Sequence, residues 1–332
     1  MKIFAIESSC DETAAAVVET KGGRFNILAN TIVSQIDIHR QYGGVVPEVA
    51  ARHHIQNIIP VLEQTLDQAK LTPNKLDRLA VTVGPGLITS LIVGIETAKT
   101  LSYVWKKPIV PVNHMKAHLY ANWSHNQKIN FPAITLIVSG GHTEIILQTS
   151  PTHLKKIGAT IDDAAGEAFD KVAQLLGLGY PGGPAISKLA KTGSRNAYPF
   201  PRPMLKENNF NFSFSGLKTA VLYTTQKIKK ITPAVTADIA ASFEQAAVDI
   251  LVEKTIRAAQ THHAKTIMLS GGVAANGLLR QTLATKAKNL KIKFLTPDIH
   301  LCTDNAAMIA IAAAFDKPSP WHTLKVNPNL DI

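Results

Sequence analysis

The sequence predicts an α/β protein of two lobes with duplicated subdomains, and three observations predict it. Short β-rich runs alternate with longer helical patterns along the whole chain, as in proteins that layer helices on sheets. A strand, a polar turn and a second strand occur near the start, and the same unit returns from residue 133, which signals an internal duplication with one unit per lobe. At 332 residues the chain is long enough for each lobe to bury its own core.

The elements follow in order. Residues 3–8 read as a strand, SSCDET as a polar turn and AAAVVE as the returning strand. LAVTVGPGLITSLIVGIETAK (79–99) reads as a strand, a GPG turn and a helix, and the apolar run Ile109, Val110, Pro111, Val112 leads into a helix that opens with HMKAH. AITLIVS, GGHT and EIILQT then repeat the first hairpin. IDDAAGEAFDKVAQLLG (161–177) reads as a helix carrying Asp163, Glu167 and Asp170 on one face, either a solvated acidic face near a helix start or one set opposite a cation or donor-rich ligand. The loop YPGGPAIS (180–187) follows. In NFSFSGLKT (211–219), hydroxyls and Lys218 surround a glycine at a helix start, while Phe210, Phe212 and Phe214 alternate as in a strand buried on one face. TIMLSGGVAANGLLRQTLATK (266–286) is a strand, a Gly-Gly turn and a helix. Glycines in such turns let a phosphate or polar ring approach the backbone.

Composition narrows the function classes. Apolar residues make up 45% of the chain, yet AAMIAIAAAF (306–315) is too short for a membrane span. The strand-like start without a basic segment and apolar h-region argues against a secretory signal. Cys10 and Cys302 cannot form a disulfide framework and fit a reduced, cytoplasmic protein. A net charge of +11 and the clusters Lys227, Lys229, Lys230 and Lys286, Lys288, Lys291, Lys293 make nucleic acid a serious partner, since phosphate neutralisation dominates such affinity. With 6% aromatic residues and no RNP motif, base stacking is not indicated.

His114 and His118 lie at i and i+4, a spacing that lets both imidazoles reach one metal ion from a helix face. An isolated pair of this kind is more often an ordinary pair of helix histidines. Met115 stands where a zincin places its glutamate base, so a protease is not favoured. Asp304, before an alanine-rich helix, is by default a cap, but it is also the carboxylate two histidines need for a three-ligand site.

ESSCDET (7–13), YGGVVPE (42–48), GPGL (84–87), HMKAH (114–118), VSGGHTE (138–144), DDAAGEAFDK (162–171), YPGGP (180–184), FSFSGLKT (212–219), SGGVAAN (270–276) and CTDNAAMIA (302–310) occur in this order. With them the chain closely resembles the bacterial-type tRNA adenosine threonylcarbamoyltransferases, a universal family once called O-sialoglycoprotein endopeptidases. The resemblance implies an actin-like, sugar-kinase-like and Hsp70-like ATPase fold. Its lobes would be residues 1–112 with the returning segment 305–332, and residues 113–304, with the active site in the cleft between them. It implies transfer of a threonylcarbamoyl group from threonylcarbamoyl-AMP to N6 of adenosine 37 in tRNAs reading codons that start with A, releasing AMP.

Position by position, the resemblance makes His114, His118 and Asp304 ligands of one divalent metal, Fe²⁺ ahead of Zn²⁺. It makes Ile137, Val138, Ser139, Gly140, Gly141, Asp170, Gly183 and Asn276 adenylate contacts. Ile137 and His142 depart from the tyrosine and asparagine of the archaeal and eukaryotic branch, so the tyrosine–metal contact of that branch is not implied. Attack by an aromatic amine releases a proton, and Asp11 and Glu12 in the first polar turn are the candidate bases. The resemblance also implies an inactive paralogue and a small P-loop ATPase as partners. The rival readings, none of them favoured, are a metalloprotease, an actin-like ATPase or small-molecule kinase, and a non-catalytic scaffold.

Overall fold

The structure, a computed structural model describing residues 1–332, divides into two compact units: Met1–Lys128 with Pro297–Ile332, and Ile129–Thr296. The first is built on β1 (Lys2–Glu7), β2 (Glu12–Lys21), β3 (Arg24–Ser34), β4 (Arg78–Gly84) and β5 (Ile109–Asn113). The second is built on β6 (Ala133–Val138), β7 (Thr143–Gln148), β8 (Leu154–Ala159), β9 (Thr266–Ser270) and β10 (Lys293–Leu295). In the first sheet the order is β3-β2-β1-β4-β5, in the second β10-β9-β6-β7-β8. Both begin with an antiparallel meander of three strands, and both then extend from the first of these by two parallel strands. The two orders are the same topology, and the duplication seen in the hairpin motifs holds for whole sheets.

The helices are α1 (Ile36–His39), α2 (Pro47–Ala69), α3 (Ile88–Trp105), α4 (His114–Tyr120), α5 (Ala165–Leu175), α6 (Gly182–Ala190), α7 (Ser215–Lys227), α8 (Pro233–Thr261), α9 (Gly277–Asn289) and α10 (Ala306–Ala313). Alternation along β1 splits its side chains between the two faces of the first sheet. Phe4 and Ile6 join Ile58, Val61 and Leu62 of α2 and Leu91 and Ile95 of α3 in one core. The opposite face meets α10, whose eight residues are all buried. A helix apolar on every side must be enclosed in this way. Because α10 packs on β1 and β2 and also on α4, α4 and the segment before α10 belong with the first sheet.

Three sequence expectations are corrected. Residues 210–214 form no strand: Phe212 makes one isolated bridge to Thr160, while Phe212 and Phe214 are buried as the chain enters α7. The acidic helix begins only at Ala165, so Asp163 lies in the turn before it. Its carboxylate meets Lys171 Nζ at 2.9 Å and Lys218 Nζ at 2.6 Å, and Glu167 meets Lys171 at 2.6 Å. The partners of Asp163 and Glu167 are this chain's own lysines. Finally, the cap of α10 is Asn305, whose side-chain oxygen accepts the Met308 N–H at 3.0 Å. Asp304 is thereby free of the capping role.

Candidate functional site

In the first unit, β5 ends at Asn113, whose side chain accepts the Lys116 N–H at 3.0 Å and so starts α4 at His114. One turn later His118 stands over it, with ring centroids 4.6 Å apart and planes at 83°. Asp304 arrives from the other end of the chain. Asn305 is fully buried and donates to the Thr303 carbonyl at 2.8 Å, which fixes the backbone that presents Asp304. Asp304 Oδ1 lies 3.4 Å from His114 Nε2 and 3.2 Å from His118 Nε2. The ligand atoms of the three residues all fall within 4.8 Å of one another.

This donor set fits a divalent cation. Two ligands about 2.1 Å from a tetrahedral metal lie roughly 3.4 Å apart, close to the separations of Asp304 Oδ1 from the two imidazoles. The buried Nδ1 of His118 has no hydrogen-bond partner and its Nε2 faces only Asp304 Oδ1 at 3.2 Å, an expensive arrangement unless an electrophile joins it. Burial opposes charge on Asp304, but the two histidines prevail and hold its carboxyl well below the usual range. Burial lowers the imidazolium form of His118. For His114, Asp304 and Glu7 overcome burial and raise it well above the ordinary value. Met115 is buried beside the histidines and offers none of a zincin's base chemistry.

Sequence reasoning missed Glu7. It closes β1, is 1% exposed, and its Oε2 lies 3.0 Å from His114 Nδ1. Its signal was a lone carboxylate at the end of an apolar strand, directly before the SSCDET turn.

Asp11 and Glu12 sit at the β1–β2 turn and are largely buried. The turn's carbonyls are all held from behind. Leu87 N–H donates to Ser9 O at 2.8 Å, Ser90 Oγ and His54 Nε2 lie 3.2 and 3.0 Å from Cys10 O, and Gln35 N–H donates to Asp11 O at 3.0 Å. Burial, then Asp11 and Asp304, push the Glu12 carboxyl well up, so this acidic turn and the metal-ligand carboxylate share one electrostatic neighbourhood.

In the second unit the β6–β7 turn is built differently. Ser139 O and Gly140 O accept the Gly166 and Glu167 N–H groups of α5, each at 3.2 Å. A Cβ on Gly166 would sit 2.5 Å from Ser139 O, so only glycine lets α5 come this close. Gly140 and Gly141 are exposed, and a Cβ on either, or on Gly183, would meet nothing within 4 Å. Asp170 Oδ1 accepts the Gly182 N–H at 2.7 Å, which ties α5 to α6. Asn276 caps α9 through Leu279 N–H at 2.8 Å and spends its amide on Ser187 Oγ at 2.9 Å and Glu244 Oε1 at 2.7 Å. Gly271 lies against Val138 O and closes this ring of contacts. The predicted residues of the second unit thus border one another. Asn276 enters as a support with its amide already engaged.

The family model for tRNA N6-adenosine threonylcarbamoyltransferase matches residues 26–311. The tRNA N6-adenosine threonylcarbamoyltransferase of Thermosipho africanus is 50% identical over 335 residues, covering 100% of both chains. That of Syntrophomonas wolfei is 50% identical over 313 residues, covering 94% of this chain and 91% of its own.

The chain belongs to this transferase family.

Among solved structures, the HypF of T. kodakarensis superposes with a TM-score of 0.65 at 16% identity, over 95% of this chain and 47% of that one. The Acidaminococcus fermentans (R)-2-hydroxyglutaryl-CoA dehydratase component A gives 0.53 at 15% identity, over 94% and 97%. These likenesses establish the fold, an actin-like ATPase fold, and nothing of the chemistry. The triad that could hold a metal has no zincin glutamate beside it, and in a chain of this transferase family the protease reading is set aside.

Proposed function

We propose that this chain transfers the threonylcarbamoyl group of threonylcarbamoyl-AMP to N6 of adenosine 37 in tRNAs reading codons that start with A. The single observation that carries the reading is the His114–His118–Asp304 triad in a chain of this family. In the reaction the amine nitrogen bonds to the carbamoyl carbon, the bond from that carbon to the phosphate oxygen breaks, and AMP leaves with the electron pair. The amine's proton passes to a base, which we assign to Asp11 with Glu12 beside it.

The free N–H groups of the exposed Gly140–Gly141 turn suit a phosphate, in a cradle with Ile137, Val138 and Ser139. Asp170 and Gly183 border the place for the ribose, with Asn276 as their support. His114, His118 and Asp304 would hold one divalent cation per subunit, Fe²⁺ ahead of Zn²⁺, because an N,N,O set with open positions suits ferrous iron. When bound, the cation supplies stabilisation of negative charge on donor oxygens.

The net charge of +11 and exposed Lys227, Lys229, Lys230, Lys288 and Lys291 support a tRNA partner. Ile55 and Ile59 of α2 and Ile88 and Ile92 of α3 are exposed on helices that pack together, apolar surface that a protein partner would cover. This supports assembly with the inactive paralogue and, through the complex, the small P-loop ATPase. Neither Cys10 nor Cys302 is in a disulfide, which supports a cytoplasmic site of action. No helix is long and apolar enough to cross a membrane. The deciding experiment is mass-spectrometric nucleoside analysis of tRNA from cells depleted of this protein and lacking a redundant enzyme. Threonylcarbamoyl-adenosine should vanish and return with a plasmid copy; an unchanged level refutes the reading.

A further inference from the structure

Glu7 is the one buried carboxylate beside the triad that the transfer chemistry leaves unused. Its hydrogen bonds come from three directions. Ser9 N–H donates to Oε1 at 2.5 Å, Thr82 Oγ1 donates to Oε2 at 2.6 Å, and His114 Nδ1 lies 3.0 Å from the same Oε2. A carboxylate only accepts, so the proton of that contact sits on His114 Nδ1. Ser9 Oγ, 3.2 Å from Nδ1, shares it. With Nδ1 protonated, the neutral ring carries its lone pair on Nε2, the atom that faces Asp304. His118 has no such support, since its Nδ1 is buried without a partner. The two histidines of one motif are therefore unequal: one has its tautomer and ring angle set from behind, the other does not.

We propose that Glu7 is the positioning residue of the metal centre, and that with Thr82 and Ser9 behind it, it fixes His114 as the anchoring ligand through Nε2. This rests on the metal-centre reading above. Outer carboxylates that hold a ligating imidazole contribute about 10- to 100-fold in metal affinity. The carboxylate is placed to do this without touching the substrate or the ion. Its three donors belong to the β1–β2 turn, β4 and α4, so metal affinity and the shape of the acidic turn are mechanically joined through one side chain.

The test uses the full-length chain, freed of metal and titrated with Zn²⁺ against a chromogenic chelator, with thermal unfolding measured in parallel. Glu7→Gln, which keeps an acceptor and removes the charge, should weaken Zn²⁺ binding about 10- to 100-fold while unfolding as a single transition. Thr82→Val, two bonds removed from the ion, should weaken it by a smaller factor. The unsubstituted protein loaded with Zn²⁺ should show His114 by ¹⁵N NMR with a protonated Nδ1 and a metallated Nε2, a reading that survives even if Glu7→Gln fails to fold. Binding lost in His114→Ala but unchanged in folded Glu7→Gln overturns the positioning role alone, as does metallation of His114 through Nδ1. Zn²⁺ binding that persists in His114→Ala overturns the metal centre itself.

Discussion

The β1–β2 turn and the β6–β7 turn occupy the same place in two sheets of one topology, yet they carry opposite chemistry. In both, the turn's carbonyls are tied from behind by neighbouring N–H or side-chain groups. That shared device leaves the front of each turn to other groups. In the first turn the front is acidic, with Glu12 in electrostatic reach of both Asp11 and Asp304. In the second it is Gly140 and Gly141, exposed backbone with open space at each Cβ position. Duplication preserved how the backbone is held and exchanged what it presents: buried carboxylates in one unit, exposed glycine backbone in the other, the division on which the proposed function rests.

The largest effect should come from removing the carboxylate that the acidic side contributes to the triad. Asp304→Ala leaves two facing imidazoles and no anionic ligand. Stoichiometric metal should be lost, and transfer should fall at least about a hundredfold, roughly 3 kcal/mol of barrier. Metal analysis together with a transfer assay on purified tRNA checks this; full activity in metal-free Asp304→Ala would break the assignment. The second effect separates the two turns. Gly86→Ala would put a Cβ 2.5 Å from Ser9 O behind the acidic turn, and overpacking against backbone should cost about 1–3 kcal/mol of stability. Gly141→Ala meets nothing, so stability should change by less than about 0.5 kcal/mol. Adenylate affinity should drop about tenfold or more, near 1.4 kcal/mol, because the methyl occupies the ligand's approach. If both variants behaved alike in calorimetry, the contrast between turns would be wrong.

Most of the fold was legible because its signals are local: alternation in the hairpins, glycine turns, and strand–turn–helix runs such as 79–99. The HMKAH spacing was legible for the same reason, since one helical turn fixes which residues share a face. Glu7 was not, because its role depends on β4 and α4 meeting the end of β1, pairings with no local trace. The acidic helix was over-read: three carboxylates at helical spacing looked like one face until the start at Ala165 left Asp163 in a turn facing Lys171 and Lys218. Asp304 was masked by the ordinary preference for a carboxylate at a helix start, and only the capping bond of Asn305 separates the two roles.

A third prediction uses pH to sharpen the acidic side of the comparison. Burial, Asp11 and Asp304 raise the Glu12 carboxyl well above its ordinary value of 4.5. From that value up to the raised folded one, the native protein binds more protons than the unfolded chain. Its contribution to stability therefore declines as pH rises through this window. Glu12→Gln removes the titration. The metal-free variant should gain on the parent as pH goes from 4.5 to 7, by on the order of 1 kcal/mol. Denaturant unfolding at both pH values reads it directly, and a difference that shrinks with rising pH would contradict the sign.

The smallest effect concerns Glu167 in the second unit, a carboxylate with a structural role alone. Glu167 is 43% exposed and meets Lys171 across one helical turn, and its Oε2 accepts the Ala164 N–H at a long 3.4 Å. An exposed pair of this kind contributes about 0.3–0.5 kcal/mol. Glu167→Gln keeps the acceptor and should cost no more than that, with the loss fading in high salt. Metal stoichiometry should not change, because the lysines around Asp163 already neutralise this face. Reduced metal content in Glu167→Gln would show that the second unit also serves a cation, and the division of chemistry between the two turns would fail.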